Sequence, residues 1–227
     1  MGYHRLGSLA RAMVILLGIT AAFQVIALPV QVALRSKAQQ FLDGRITKAS
    51  FEDALKTQQS VTGVQGGAVI ALIVLTMVWM FRLAKNHRAL GRPDSTWVPG
   101  WAIGGWFVPP GFVYAVPWLM FRELWKGSDP ANVRNDPSWK TRHVSPLINV
   151  WWVLYGFVPI VGAVVGLGVG VSFRDFTQDA TVDLAKLATH WFWLQFTVSV
   201  VAVGTTCIYA KIVHDLTKRQ RVLTGEI

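Results

Sequence analysis

The sequence predicts an all-α integral membrane protein with four transmembrane helices, a Pro/Gly-broken re-entrant or kinked segment at about 97–125, and a short external amphipathic helical loop. Three observations predict it. First, the 227 residues contain five uncharged runs, Ala12–Leu34, Val61–Phe81, Ser95–Phe121, Val144–Phe173 and Leu187–Ala210. Each exceeds the ~18 apolar residues that mark a span candidate for a hydrocarbon core of about 30 Å. Second, 52% of the residues are hydrophobic and 15% charged, with the charges segregated between the runs. Third, Lys and Arg gather beside particular runs, as insertion with positive loops inward requires.

The elements follow in order. The first run, 12–34, follows Arg5 and Arg11. It is longer than the ~7–15 apolar residues of a cleaved leader, so it reads as a span. The loop 35–60 reads as two amphipathic helices separated by Asp43-Gly44, with Ser50 and Asp53 as a capping box and Phe51 and Leu55 on one face. The second span is 61–81. The segment 97–121 contains Pro99, Pro109 and Pro110 among glycines 100, 104, 105 and 111. Prolines remove amide donors and restrict their neighbours, so the chain divides into halves at roughly 97–108 and 112–126. Each half enters a bilayer and returns; a kinked fifth span is the alternative. The third full span, 145–173, carries a kink signal at Gly156 and Pro159. The fourth is 187–210, followed by a cytoplasmic tail, 211–227.

With four crossings, fifteen of the 22 Lys and Arg fall on one side, including the dense run Arg82, Lys85, Arg88 and Arg92. The positive-inside rule makes that side cytoplasmic and places both termini there, for a plasma-membrane protein. The net charge of +10 is thereby explained without a nucleic-acid partner. Gly63 and Gly67, and Gly162, Gly166 and Gly170, have the spacing that lets helices approach closely, within the chain or between copies. Trp97, Trp125, Trp151, Trp152, Trp191 and Trp193 lie near segment ends, as an interfacial aromatic belt does.

Chemistry is sparse in the sequence. No Asp, Glu, Lys or Arg falls inside the four spans, which argues against a proton-coupled transporter. Gln24, Gln65, Asn149, His190 and Gln195 read as interhelical hydrogen-bonding groups. The five histidines, at 4, 87, 143, 190 and 214, have no metal-ligand spacing, and Cys207 stands alone. No phosphate-binding glycine loop or nucleophile elbow is present, and no cofactor is implied. Arg122 and Glu123 read as an interfacial ion pair.

The stretch from Asn86 to Pro130 resembles the family catalogued as domain of unknown function 4328, bacterial and chiefly actinobacterial membrane proteins. The residues that carry the resemblance are Asn86-His-Arg-Ala-Leu-Gly91, Pro99-Gly-Trp-Ala-Ile-Gly-Gly-Trp-Phe-Val-Pro109, Arg122-Glu-Leu-Trp125 and Ser128-Asp-Pro130. The chain departs from the pattern at Pro110-Gly111, and the first 60 residues carry no diagnostic match. The resemblance implies a membrane fold and no assigned activity. The functional expectation is a non-catalytic accessory or scaffold subunit that contacts lipid and either a protein partner or further copies of itself. A small channel or lipid/solute transporter using the broken segment is the alternative. A third is an interfacial enzyme in which Glu123 meets His87 or His143. The candidate functional segment comprises Pro99, Gly100, Trp101, Gly104, Gly105, Trp106, Pro109, Pro110, Arg122, Glu123 and Trp125.

Overall fold

The computed structural model describes residues 2–92, 94–156 and 180–226. Its elements are α1 (Gly7–Leu42), α2 (Lys48–Ala89), α3 (Trp101–Gly104), α4 (Pro110–Gly127), a 3-10 turn (Pro137–Thr141), α5 (helical over 146–156), α6 (Ala180–His190) and α7 (Phe192–Thr224). Three described helices, α1, α2 and α7, are long and apolar enough to cross a membrane. Their apolar side chains are widely exposed: Ile15 by 57%, Ile26 by 55%, Ile70 by 66% and Val74 by 54%. Water would penalise such faces, and lipid would not. Of the expected span 145–173, residues 157–173 lie outside the described residues, and so do Gly162, Gly166 and Gly170.

The expected external helices are continuations of α1 and α2. At 42 residues, α2 is about 63 Å long, roughly twice a bilayer core. The chain does break at Asp43-Gly44, where Gly44 has φ +72°. The helix cap, however, is Thr47, whose Oγ1 accepts the Ser50 amide at 3.3 Å, rather than Ser50 itself. Ser50 and Asp53 then lie inside α2, where Asp53 pairs with Lys56 at 3.3 Å. Charged residues with adequate helix propensity mark where lipid ends, and they do not stop a helix. For the same reason α7 continues through the expected tail, aided by the Lys211–Asp215 pair one turn apart.

The chain forms two compact units. The first contains residues 1–18, 70–153 and 207–227. Trp79, Met80, Leu83, Met120, Phe121, Ile148, Trp151, Ile212 and Leu216 are buried in it. Trp151 stacks on Tyr209 with ring centroids 4.7 Å apart and meets Phe121 edge-on at 5.2 Å. Two tryptophans assigned to the interfacial belt, Trp125 and Trp151, are therefore core residues, whereas Trp193 is 66% exposed. Two buried polar tips meet across helices: Trp79 Nε1 donates to Thr217 Oγ1 at 3.0 Å, and the Thr76 and Tyr209 hydroxyls lie 2.7 Å apart.

The second unit contains residues 19–69 and 154–206. Ala38, Phe51 and Ala185 are its fully buried centre, with Leu34, Phe41 and Leu55 packed against them, so Phe51 and Leu55 do share a face. The rings of Phe41 and Phe51 stack at 5.3 Å. Gln24 behaves as expected and accepts from Thr206 at 3.1 Å; Gln31 donates to Ser199 at 2.8 Å. Among the described residues, a Cβ at Gly63 or Gly67 meets nothing within 4 Å, so no described neighbour makes the close approach expected there.

The broken segment lies in the first unit. Amide-to-carbonyl bonds three residues apart tighten 98–107 into successive turns around the single turn α3, for example Ala102 N to Pro99 O at 3.1 Å and Phe107 N to Gly104 O at 3.0 Å. Pro109 is extended (φ −50°, ψ 152°), and α4 starts with proline in its first turn. The second expected half-element is thus a regular helix, and the first is mostly turns. Gly105 is buried, and a Cβ there would lie 2.7 Å from Trp101 O and 2.8 Å from Val116 Cγ1. Adjacent Gly104 faces open space. Gly105→Ala is expected to cost about 1–3 kcal/mol, while Gly104→Ala stays within about 0.5 kcal/mol of wild type. Thermal melting of both in detergent checks this, and indistinguishable melting temperatures would refute the packing at Gly105.

Candidate functional site

The polar groups of the first unit converge around the end of α2, the end of α4 and the loop 128–142. The α2 helix runs past its apolar stretch into Arg82, Lys85 and Arg88, and His87 belongs to this extension beyond the span. His87 is 2% exposed, and its ring lies against Gly127 at the end of α4. On another side it meets Trp139 edge-on at 5.3 Å. Its Nε2 is buried without a hydrogen-bond partner. Burial, and next the positive charge of Arg92, lower its pKa from 6.5 to about 3, so the ring is held neutral.

Arg92 is 5% exposed and reaches two backbone carbonyls: Nε donates to Gly127 O and Nη1 to Val133 O, both at 2.9 Å. Burial lowers its pKa, with Tyr3 and Asp129 opposing. The turn after α2 is tied to the same loop, since Asn135 N donates to Gly91 O at 3.0 Å. Asn135 has φ +62°, a conformation that asparagine tolerates better than most residues. Asp136 then caps the 3-10 turn. Ser138 Oγ and N donate to its carboxylate at 2.6 and 2.9 Å and hold it below the usual carboxylate range.

Both chain ends join this region. Asn86 exchanges two hydrogen bonds with the His4 backbone, at 2.7 and 2.9 Å. The Glu226 carboxylate accepts the Leu6 and Gly7 amides at 2.8 and 2.9 Å. From α7, Gln220 donates to the buried Ser128 Oγ at 2.8 Å. The Arg219 guanidinium lies 4.3 Å over the Trp125 ring and 3.7 Å from Asp129.

Arg122 and Glu123 do not pair with each other. Neighbours on a helix point about 100° apart. Glu123 accepts the Thr96 and Trp97 amides, each at 3.2 Å, and so fixes the entry to the broken segment. Arg122 lies 4.7 Å over the Trp118 ring. Beside them is a pocket of about 320 Å³ whose lining includes Trp97, Arg122, Glu123, Lys126, Trp139 and Lys140. Lys126 donates to Lys140 O at 2.8 Å across it. The expected candidate residues therefore divide. Glu123 and Trp125 join the polar cluster, and Gly105 is packed against α4. Trp101 is exposed, by 39%. Trp106 Nε1 is buried without a partner. Glu123 and His87 form no hydrogen bond through Nε2, since that atom has no partner.

Sequence reading missed Gly127, Arg92, Asn135 and Gln220 as members of one cluster. Arg92 was visible as a loop charge, and no spacing rule connects His87 with a glycine forty residues later. Among the described residues, no three His, Cys, Asp or Glu side chains converge as metal ligands would.

Comparison with curated proteins and with solved structures gives no match. A family model described as a domain of unknown function (DUF4328) matches residues 42–218, well over half of the chain. The match covers α2, the broken segment, α4, the loop 128–142 and most of α7, and it starts earlier than the motif residues alone suggest. On that match the chain belongs to the DUF4328 family.

Proposed function

We propose that this protein is a non-catalytic accessory or scaffold subunit of a bacterial plasma-membrane complex, crossing the bilayer four times with both termini cytoplasmic. The observation that carries the reading is where the recognisable residues spend their bonding capacity. Asn86 binds the His4 backbone, Glu123 caps two amides, Trp125 lies under Arg219, and Ser128 accepts from Gln220. His87 is closed against Gly127. Groups used this way join four separate chain segments in one surface and leave little polar capacity for a substrate.

The same contacts support the topology. Segments assigned to the cytoplasmic side touch one another: the N-terminus with 82–92 and with 226, and 128–129 with 219–220. Those assigned outside likewise touch, with Thr181 Oγ1 donating to Glu52 at 3.5 Å. Ends on one side require an even number of crossings, which supports α1, α2, α7 and a span beginning in α5, with 97–121 returning to its own side. The exposed Phe107 and Phe112 suit a segment dipping into lipid.

Extraction from native membranes into polymer-bounded nanodiscs, followed by mass determination, tests the proposal. A stoichiometric complex or a defined homo-oligomer is expected. A monomer in every lipid and detergent condition, with no crosslinked species in cells, would overturn it.

A further inference from the structure

We propose that the groove between the first turns of α1 and the last turns of α7, both in the first unit, binds the phosphate headgroup of an acidic glycerophospholipid. The groove encloses about 490 Å³, a volume suited to a small ligand. Arg11, His214, Lys218 and Arg221 line it together with the apolar Val14 and Ile15. Residues 214, 218 and 221 recur at helical spacing on one face of α7, as 11, 14 and 15 do on α1. Arg11, His214 and Lys218 make no hydrogen bond or ion pair with another described residue. Arg221 donates Nε to the Glu226 carbonyl at 3.1 Å.

No carboxylate lines the groove. Glu226, the acid beside it, has both carboxylate oxygens on the Leu6 and Gly7 amides. Those bonds also occupy the amides at the start of α1, so the attraction for an anion comes from side chains. Arg11, Lys218 and Arg221 bring more positive charge to the groove than the single acid beside it, Glu226, balances, and a phosphate is attracted to that excess. The apolar wall decides the source of the phosphate. Ile15 is 57% exposed and belongs to the uncharged run of α1, so an acyl chain can cover it while the phosphodiester meets the cations. A soluble phosphate gains nothing from that wall.

The inference rests on the reading that α1 and α7 cross a bilayer. Release of the protein from membranes by alkaline carbonate would sink that reading; the following outcomes bear on the lipid site alone. Native mass spectrometry of the detergent-purified protein, titrated with phosphatidylglycerol or phosphatidylcholine, is expected to show one retained lipid and about tenfold preference for the acidic one. The Arg11→Gln/Lys218→Gln/Arg221→Gln variant should lose the preference. The Lys37→Gln/Lys85→Gln/Arg88→Gln variant, with the same loss of charge elsewhere, should keep it. Should the first variant fold poorly, a photoactivatable phosphatidylglycerol on the wild-type protein is expected to label peptides containing 11–15 and 214–221. Equal retention of both lipids, label confined to other peptides, or full displacement by inorganic phosphate would each overturn the proposal.

Discussion

Gly127→Ala is expected to lower stability by about 3 kcal/mol, the upper end of the usual cost of overpacking a core. An alanine Cβ there would fall 1.6 Å from His87 Nε2, 2.0 Å from Cε1 and 2.8 Å from Cδ2. The imidazole cannot swing clear easily, because it is 2% exposed and Trp139 closes another side. The loop carbonyls also depend on position 127, since its carbonyl accepts from Arg92. A loss of that size corresponds to a fall of about 6–12 °C in melting temperature for a chain of this length. Pairing the substitution with His87→Ala supplies the decisive measurement. Removing the ring makes room for the methyl, so the double variant should be less impaired than the two single losses summed, by more than about 1 kcal/mol. Strict additivity would show that the ring and the glycine are not in contact.

Acidification is expected to destabilise the protein through the same histidine. An ordinary imidazole in the unfolded chain takes a proton near pH 6.5, whereas burial and Arg92 hold the folded group to about 3. Between those values the unfolded state binds more protons, so stability rises with pH and falls as pH drops. The decrement approaches about 1.4 kcal/mol per pH unit below 6.5, which gives about 2 kcal/mol at pH 5. Asp136, held below the usual carboxylate range by Ser138, works in the same direction at lower pH. Comparison with His87→Gln separates the two. Its melting temperature should fall less than that of wild type between pH 7.5 and 5, and parallel profiles would refute the assignment.

Composition made the membrane-type helices legible, because uncharged runs of sufficient length have few other uses. Their ends were not legible. Residues 35–60 look like a separate loop because charge returns there, yet the helical backbone continues until Leu42 and resumes at Lys48. The break at Pro109 could be read from missing amides and restricted neighbours. The pairing of Arg122 with Glu123 was misread because adjacency in sequence is divergence on a helix. The centre of the site was the least visible part. His87, Gly127, Arg92 and Trp139 are brought together by tertiary packing, and each alone looks like an interfacial residue.

The five-residue turn between α1 and α2 has a consequence for biogenesis. With Leu42 and Lys48 so close along the chain, and Phe41 already stacked on Phe51, there is little slack for the first helix to settle before the second. On the topology proposed here the two enter the membrane as a hairpin. Lengthening 43–47 with flexible residues would uncouple their insertion without touching a single contact in the polar cluster.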